Sequence, residues 1–95
     1  MIDLEQKYLN FIKTTINSYL NNSEIYIFGS RARGDAKKYS DIDIAIKSKD
    51  LTPQITEKLK YIFENSTLPY EVDIVDLNNI SENFKNIILG DLKKV

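Results

Sequence analysis

Hydrophobic positions change from helical to strand spacing along the first half of the chain. Between residues 4 and 20 they recur every three to four positions, which predicts an amphipathic helix. Residues 25–28 form a short β-branched and aromatic run, which predicts a first strand. Residues 41–47, DIDIAIK, alternate with period two, so that the isoleucines face one side and Asp41 and Asp43 face the other. The pattern predicts a second strand with two carboxylates on a single face.

The second half continues with another helix and a third strand. Thr52 followed by Pro53 is typical of an N-cap and a first helical turn, and hydrophobic residues follow at helical spacing. Residues 71–75, EVDIV, predict a strand on which Asp73 faces opposite to its hydrophobic neighbours. Asp73 is therefore a third candidate carboxylate.

Two shorter helices complete the pattern. Residues 32–38 predict a short helix, which Gly34 weakens by about 1 kcal/mol. Asn79 and Glu82 have capping-box spacing and predict the start of a last helix, which Gly90 is expected to end. The hydrophobic positions of this last helix are Phe84, Ile87 and Ile88. The final residues predict a short edge strand.

Strands that alternate with helices in this order predict an α/β fold, with a small mixed β-sheet flanked by helices. A chain of 95 residues fits a single domain, 1–95. A hydrophobic content of 42% and a charged content of 28% fit a globular protein. The net charge of −1 argues against direct binding of nucleic acid, which normally requires a basic excess.

The chain contains neither cysteine nor histidine. A disulfide framework, thiol catalysis and thiolate zinc sites are thereby excluded, and carboxylates are left as the main candidates for metal ligands or a general base. The N-terminal segment lacks the hydrophobic core of a signal peptide, and no apolar run approaches membrane-spanning length. We therefore expect a cytoplasmic protein with no membrane partner.

Asp41 and Asp43 are the candidate metal ligands. Side chains two positions apart on a strand lie about 6–7 Å apart along its axis. Like charges at such spacing repel each other unless they are solvated or bind a cation, and Mg²⁺ prefers carboxylate oxygens. Asp73 joins them if its strand pairs beside the second strand. The alternative is that Asp41 belongs to a turn and Asp43 to the exposed face of an edge strand.

Gly29 and Ser30 form a candidate phosphate-binding turn after the first strand. Glycine allows close approach to the backbone, free N–H groups there attract anions, and the serine hydroxyl can donate a further hydrogen bond. One of the two following arginines is expected to contact a triphosphate, while the other stays solvated or meets a partner. The alternative is a common turn beside a solvated basic segment. The basic residues are Arg31, Arg33, Lys37 and Lys38.

The arrangement resembles the signature of the minimal nucleotidyltransferase (MNT) domains of the polymerase-beta superfamily. That signature has Gly-Ser, ten residues and then Asp-x-Asp, and ten residues separate Ser30 from Asp41. The resemblance extends over essentially the whole chain. The matching positions are Gly29, Ser30, Ala32, Arg33, Gly34, Ser40, Asp41, Ile42 and Asp43.

The resemblance implies a polymerase-beta-like fold and a magnesium-dependent nucleotidyltransferase. Asp41 and Asp43 would coordinate two Mg²⁺ ions. Asp73 would complete the second metal site and help to activate the attacking hydroxyl. The reaction would be in-line attack on the α-phosphate of ATP, with release of pyrophosphate.

The resemblance also implies the nucleotide contacts. Gly29 and Ser30 would hold the β- and γ-phosphates. Arg31 or Arg33 would contribute a positive charge, and Ser40 would either contact the nucleotide or serve as a turn residue.

By the same resemblance, larger family members place the acceptor on an added domain, which we do not expect in a chain of 95 residues. The acceptor is therefore expected to bind at a modest surface, to be held across a homodimer or to arrive on another protein. The resemblance implies a small helical HEPN-family partner in a toxin–antitoxin system, with AMP transferred to a tyrosine of the HEPN ribonuclease. Two alternatives stay open: an antibiotic-type nucleotidyltransferase subunit that acts on a small molecule, and a non-catalytic antitoxin that acts by contact.

Overall fold

A four-stranded mixed sheet organises the computed structural model, which describes residues 2–95. The strands are β1 (Glu24–Phe28), β2 (Ile42–Lys47), β3 (Val72–Asp76) and β4 (Lys93–Lys94). The helices are α1 (Gln6–Asn17), α2 (Ser30–Arg33), α3 (Pro53–Glu64) and α4 (Glu82–Ile88), and a 3₁₀ turn (Leu89–Asp91) follows α4. The predicted α/β architecture is confirmed.

The order of strands across the sheet is β3-β2-β1-β4. Strand β1 runs antiparallel to both β2 and β4, whereas β2 and β3 are parallel. The register pairs Phe28 with Asp43 and Asp43 with Asp73. Because side chains at paired positions share a face of the sheet, the two aspartates lie side by side. The expectation that the third strand pairs beside the second is correct, and Asp43 lies on a central strand rather than an edge.

The two faces of the sheet carry separate hydrophobic clusters. On one face, the isoleucines of β2 pack with residues of α1 and α3 in a cluster that includes Ile12, Ile44 and Phe63. On the other face, Phe28 and Ala45 pack with residues near and within α4. Since Asp43 is two positions from Ala45, it lies on the α4 face of the sheet, next to the end of the smaller cluster.

The ends of α1 and α2 differ from the predictions. Helix α1 begins at Gln6 rather than residue 4, because the backbone N–H of Asp3 donates to the carbonyl of Arg31 (2.7 Å) and this segment follows another path. It ends at Asn17 rather than at the predicted Leu20, and the N–H groups of Tyr19 and Leu20 donate to the carbonyl of Ile16 in a turn after the helix. Helix α2 covers Ser30–Arg33 instead of 32–38, since Gly34 adopts a left-handed conformation (φ +84°) that terminates it.

Helix α4 also begins later than predicted. Ser81, not Asn79, is its N-cap, and the Ser81 hydroxyl accepts a hydrogen bond from the N–H of Phe84 (3.1 Å). Asn79 belongs to the preceding turn, where its N–H donates to the carbonyl of Asp76 (2.9 Å). Helix α4 ends at Ile88, and Gly90 lies within the following 3₁₀ turn. Of the hydrophobic positions of α4, Ile88 is buried, whereas Ile87 is 74% exposed.

The predicted cap of α3 is present, with the Thr52 hydroxyl accepting from the N–H of Ile55 (3.1 Å) ahead of Pro53. Within residues 2–95, no helix is long and apolar enough to cross a membrane.

Candidate active site

Three aspartates lie at the same end of the parallel strands β2 and β3. Asp43 in β2 and Asp73 in β3 occupy paired positions, on strands that lie about 4.8 Å apart. Asp41 immediately precedes β2 and is exposed, Asp73 is also exposed, and Asp43 is half-buried. Because side chains alternate between the two faces of a strand, Asp43 lies on the face of β2 opposite to its isoleucines. The sheet therefore brings together the three carboxylates singled out in the sequence.

The carboxyl group of Asp43 is electrostatically perturbed. The pKa of Asp43 is raised from 3.8 to about 6, first by burial and then by the neighbouring negative charges of Asp73 and Asp41, while the positive charge of Arg33 opposes the shift. A carboxylate disfavoured in this way gains most from a cation placed beside it. Perturbed ionisation of this kind is a feature of functional sites.

Gly29 directly follows β1 and lies against the side chain of Asp43. A Cβ atom built on Gly29 would overlap the carboxylate oxygen of Asp43 and would lie 3.3 Å from its Cγ. Gly29 also has φ +74° and ψ −156°, a backbone conformation essentially restricted to glycine. The absence of a side chain at Gly29 is what allows the turn before α2 to lie directly against Asp43.

Ser30 begins α2 immediately after this glycine. The first N–H groups of a helix have no partner within that helix, and at the start of α2 those of Ser30 and Arg31 point to no carbonyl of the turn and are available to an anion. The carbonyl of Gly29 accepts from the N–H groups of Ala32 and Arg33 (3.1 Å each), which fixes the turn. Ser30 is partly exposed and lies one residue from the glycine that contacts Asp43.

The two arginines of α2 have opposite environments. Arg33 is exposed and forms ion pairs with Asp91 (2.8 Å) and Asp35 (3.4 Å), which raise the pKa of its guanidinium. Its charge also lowers the pKa of Asp43, which places Arg33 within electrostatic reach of the carboxylates. Arg33 is thus the arginine accessible to a triphosphate.

Arg31, predicted as a possible nucleotide contact, is only 5% exposed. Its Nε and Nη2 donate to the carbonyl of Ser40 (3.1 and 2.9 Å), and its Nη1 donates to the carbonyl of Asp3 (2.9 Å). Its guanidinium carbon lies 4.1 Å from the centroid of the Tyr70 ring. Arg31 therefore makes its contacts within the protein. Neither its residue type nor its position in the basic segment indicated this structural role.

Ser40 makes turn contacts. Its hydroxyl accepts from the N–H of Lys37 (2.8 Å), and its N–H donates to the carbonyl of Lys37 (3.1 Å). These are the contacts of the turn residue that was one of the two interpretations from sequence. A nucleotide contact by Ser40 stays a prediction.

The donor set fits magnesium bound together with a nucleotide. Among residues 2–95, no three Asp or Glu side chains converge closely enough to hold a metal ion by themselves. Mg²⁺ does not need such a cage, because it is usually held by one or two carboxylates and completed by substrate phosphates and water. The chain offers the oxygen ligands, and a cation beside Asp43 would offset the burial and the like charges that raise the pKa of its carboxyl group.

Fold and site define the class of protein. The sequence pattern of the family described as "Polymerase beta, Nucleotidyltransferase" matches residues 10–95, and the chain belongs to this family. It is a nucleotidyltransferase. The chain is also 39% identical over 88 residues to the "Probable protein adenylyltransferase MntA" of Haemophilus influenzae, covering 92% of this chain and 77% of that protein.

Solved structures resemble the chain at the level of the whole fold. A crystal structure of a toxin-antitoxin with AMP-PNP has a TM-score of 0.76 and 30% identity, covering 90% of this chain and 69% of that one. A crystal structure of the toxin-antitoxin MntA-HpeT carrying a Tyr-to-Ala mutation has a TM-score of 0.71 and 28% identity, covering 97% and 72%. A double Asp-to-Glu mutant of MntA-HpeT has a TM-score of 0.70 and 25% identity, covering 96% and 71%.

Proposed function

We propose that this chain is an antitoxin that transfers AMP from ATP to a tyrosine hydroxyl of a partner HEPN-family ribonuclease. The observation that carries the proposal is the placement of Asp43 beside Asp73 and directly against the Gly29 turn. Similarity to a protein named as an adenylyltransferase, and to toxin-antitoxin structures, supports the choice of AMP and of a protein acceptor.

Each residue has a defined part in the proposed reaction. Asp41 and Asp43 would hold Mg²⁺, with Asp73 at the second of two metal positions. When bound, the metal supplies charge neutralisation for the phosphate oxygens. The turn at Gly29 and Ser30 would hold the β- and γ-phosphates, and Arg33 would add positive charge at the open side.

The bond changes follow those of adenylyl transfer. The acceptor oxygen forms a bond to the α-phosphorus, and the bond from that phosphorus to the bridging oxygen breaks as pyrophosphate leaves. The hydroxyl proton passes to the exposed carboxylate of Asp73 and from there to water. Orientation of the reactants and stabilisation of charge supply most of the rate in such a site.

The test uses the full chain with the protein encoded beside its gene as the candidate acceptor. The two proteins are incubated with ATP and MgCl₂, and the intact mass of the acceptor is measured. Asp43→Asn removes the central carboxylate. Asp50→Asn is the matched control, because Asp50 is exposed and lies beyond the opposite end of β2. We expect adenylyl groups on the acceptor with the wild-type chain and with Asp50→Asn, and none with Asp43→Asn.

The alternatives give different results in the same assay. If the acceptor gains no mass but its ribonuclease activity is still neutralised, and Asp43→Asn neutralises equally well, the chain acts by contact. If wild type consumes ATP only with a small hydroxylated compound, the acceptor is not a protein. Either outcome would refute the proposed acceptor.

A further inference from the structure

Arg31 is a buried charge whose partners are backbone carbonyls. A guanidinium removed from water is costly unless its N–H groups are hydrogen-bonded. Three of its nitrogen atoms donate, two to the carbonyl of Ser40 and one to the carbonyl of Asp3. Its guanidinium carbon lies over the Tyr70 ring, 4.1 Å from the ring centroid. The guanidinium is therefore held by both hydrogen bonds and an aromatic contact within the protein.

Arg31 and two of its partners, Ser40 and Tyr70, belong to different segments of the chain that each lead to a site residue. Ser40 directly precedes Asp41, Tyr70 lies three positions before Asp73, and Arg31 itself directly follows Ser30. Residues 34–41 between α2 and β2 contain no helix or strand, so their path depends on contacts such as these. The Arg31 side chain thus links the helix that follows the phosphate-binding turn with the two segments that lead to Asp41 and Asp73.

We propose that Arg31 is a positioning residue that fixes Asp41 and Asp73 relative to the Gly29–Ser30 turn. The forked bond to the Ser40 carbonyl sets where the chain enters β2, and hence where the Asp41 carboxylate lies. Stacking on Tyr70 sets the path into β3. The roles of Asp41 and Asp73 rest on the proposed function, but the geometry that links them does not.

A phosphate-binding role makes a different prediction for Arg31. A residue that clamps the triphosphate must be able to turn its donors toward the ligand. Arg33 meets this requirement, because it is exposed and its ion-pair partners are the side chains of Asp35 and Asp91. Substitution of a clamp weakens nucleotide binding with or without metal. Substitution of a positioning residue instead weakens the part of binding that depends on Mg²⁺, because only the metal ligand is displaced.

The two roles are separated by comparing Arg31→Gln with Arg33→Gln. Binding of AMP-PNP to the full chain is measured by calorimetry with and without MgCl₂, and transfer to the acceptor is measured as kcat and KM for ATP. We expect Arg31→Gln to lose most of the gain in affinity that Mg²⁺ confers while metal-free binding stays unchanged. We expect its kcat to fall up to about a hundredfold, the loss typical of a 1 Å misplacement.

Arg33→Gln is expected to weaken AMP-PNP binding under both conditions and to raise KM. Arg31→Lys should not rescue Arg31→Gln, because an ammonium cannot bridge the Ser40 and Asp3 carbonyls and stack on a ring at once. The proposal is overturned if Arg31→Gln behaves like Arg33→Gln, or if it binds and reacts like wild type.

Tyr70→Leu provides a second variant in case Arg31→Gln does not fold. It removes the stacked ring while leaving every guanidinium hydrogen bond available, and it should show the same selective loss of the Mg²⁺ effect. A Tyr70→Leu chain with the full Mg²⁺ effect would overturn the proposal. If the wild-type chain transfers nothing, the proposed function fails, yet the AMP-PNP measurements still decide the role of Arg31.

Discussion

Replacement of Gly29 by alanine is the sharpest perturbation of the site. The added Cβ would overlap the carboxylate oxygen of Asp43 and would lie 3.3 Å from its Cγ. Gly29 also holds a glycine-only conformation, and such strain costs about 1–3 kcal/mol for other residues. The overlapping atom is the end of a side chain, so Asp43 can move away by rotation. The variant is therefore expected to fold with a displaced carboxylate.

Gly34→Ala is the matched control for Gly29→Ala. Gly34 also has a positive φ (+84°), but a Cβ there meets nothing within 4 Å. Gly34→Ala should lose about 1–2 kcal/mol of stability, the cost of a left-handed alanine. Because no carboxylate is displaced, its kcat should stay close to that of wild type.

The assay combines urea unfolding with the rate of pyrophosphate release. Gly29→Ala should lose about 1–3 kcal/mol in the free energy of unfolding and about a hundredfold in kcat, since a misplacement of about 1 Å has that effect. Equal kcat values for the two alanine variants would refute the argument that Gly29 is needed for the position of Asp43.

Two further predictions concern stability. The pKa of Asp43 is raised in the folded state from 3.8 to about 6. The folded state therefore binds the proton of Asp43 more tightly than the unfolded state. The resulting stabilisation is fully present below pH about 4 and is lost as the pH rises through about 6. The loss in the free energy of unfolding is at most about 3 kcal/mol, and solvent screening of the half-buried group reduces it. Asp43→Asn should remove this loss in the metal-free protein and be more stable than wild type at neutral pH. The free energy of unfolding of both proteins is measured in urea between pH 4 and pH 7. If it changes with pH by the same amount in the wild type and in Asp43→Asn, the predicted effect of Asp43 is wrong. For helix α4, Ser81→Ala should cost about 1 kcal/mol as a lost N-cap. Asn79→Ala, whose side chain is not the cap, should cost clearly less, and the reverse order would show that the predicted capping box forms after all.

Period two in DIDIAIK was sufficient to predict that Asp41 and Asp43 face away from the core. The same periodicity placed Asp73 correctly on its own strand. The parallel register that brings Asp43 beside Asp73 depends on how α3 crosses over the sheet, and local spacing carries no information on it. The sequence suggested this pairing, and the structure was needed to establish it.

Errors arose where two local signals compete. Asn79 and Ser81 are both good caps, and the turn bond from the Asn79 N–H to Asp76 decides between them. The role of Arg31 could not be predicted, because its carbonyl partners lie nine and 28 residues away along the chain. In sequence it is only one of several basic residues.

Transfer of AMP is tested by following the label from ATP that carries either a radioactive α-phosphate or a radioactive γ-phosphate. The chain, MgCl₂ and the protein encoded beside its gene are incubated with each form, and label on the acceptor is counted after denaturation. We expect α-label on an acceptor tyrosine, γ-label released as pyrophosphate, and neither event with Asp43→Asn. Gamma-label on the acceptor, or α-label that persists with Asp43→Asn, would contradict this prediction.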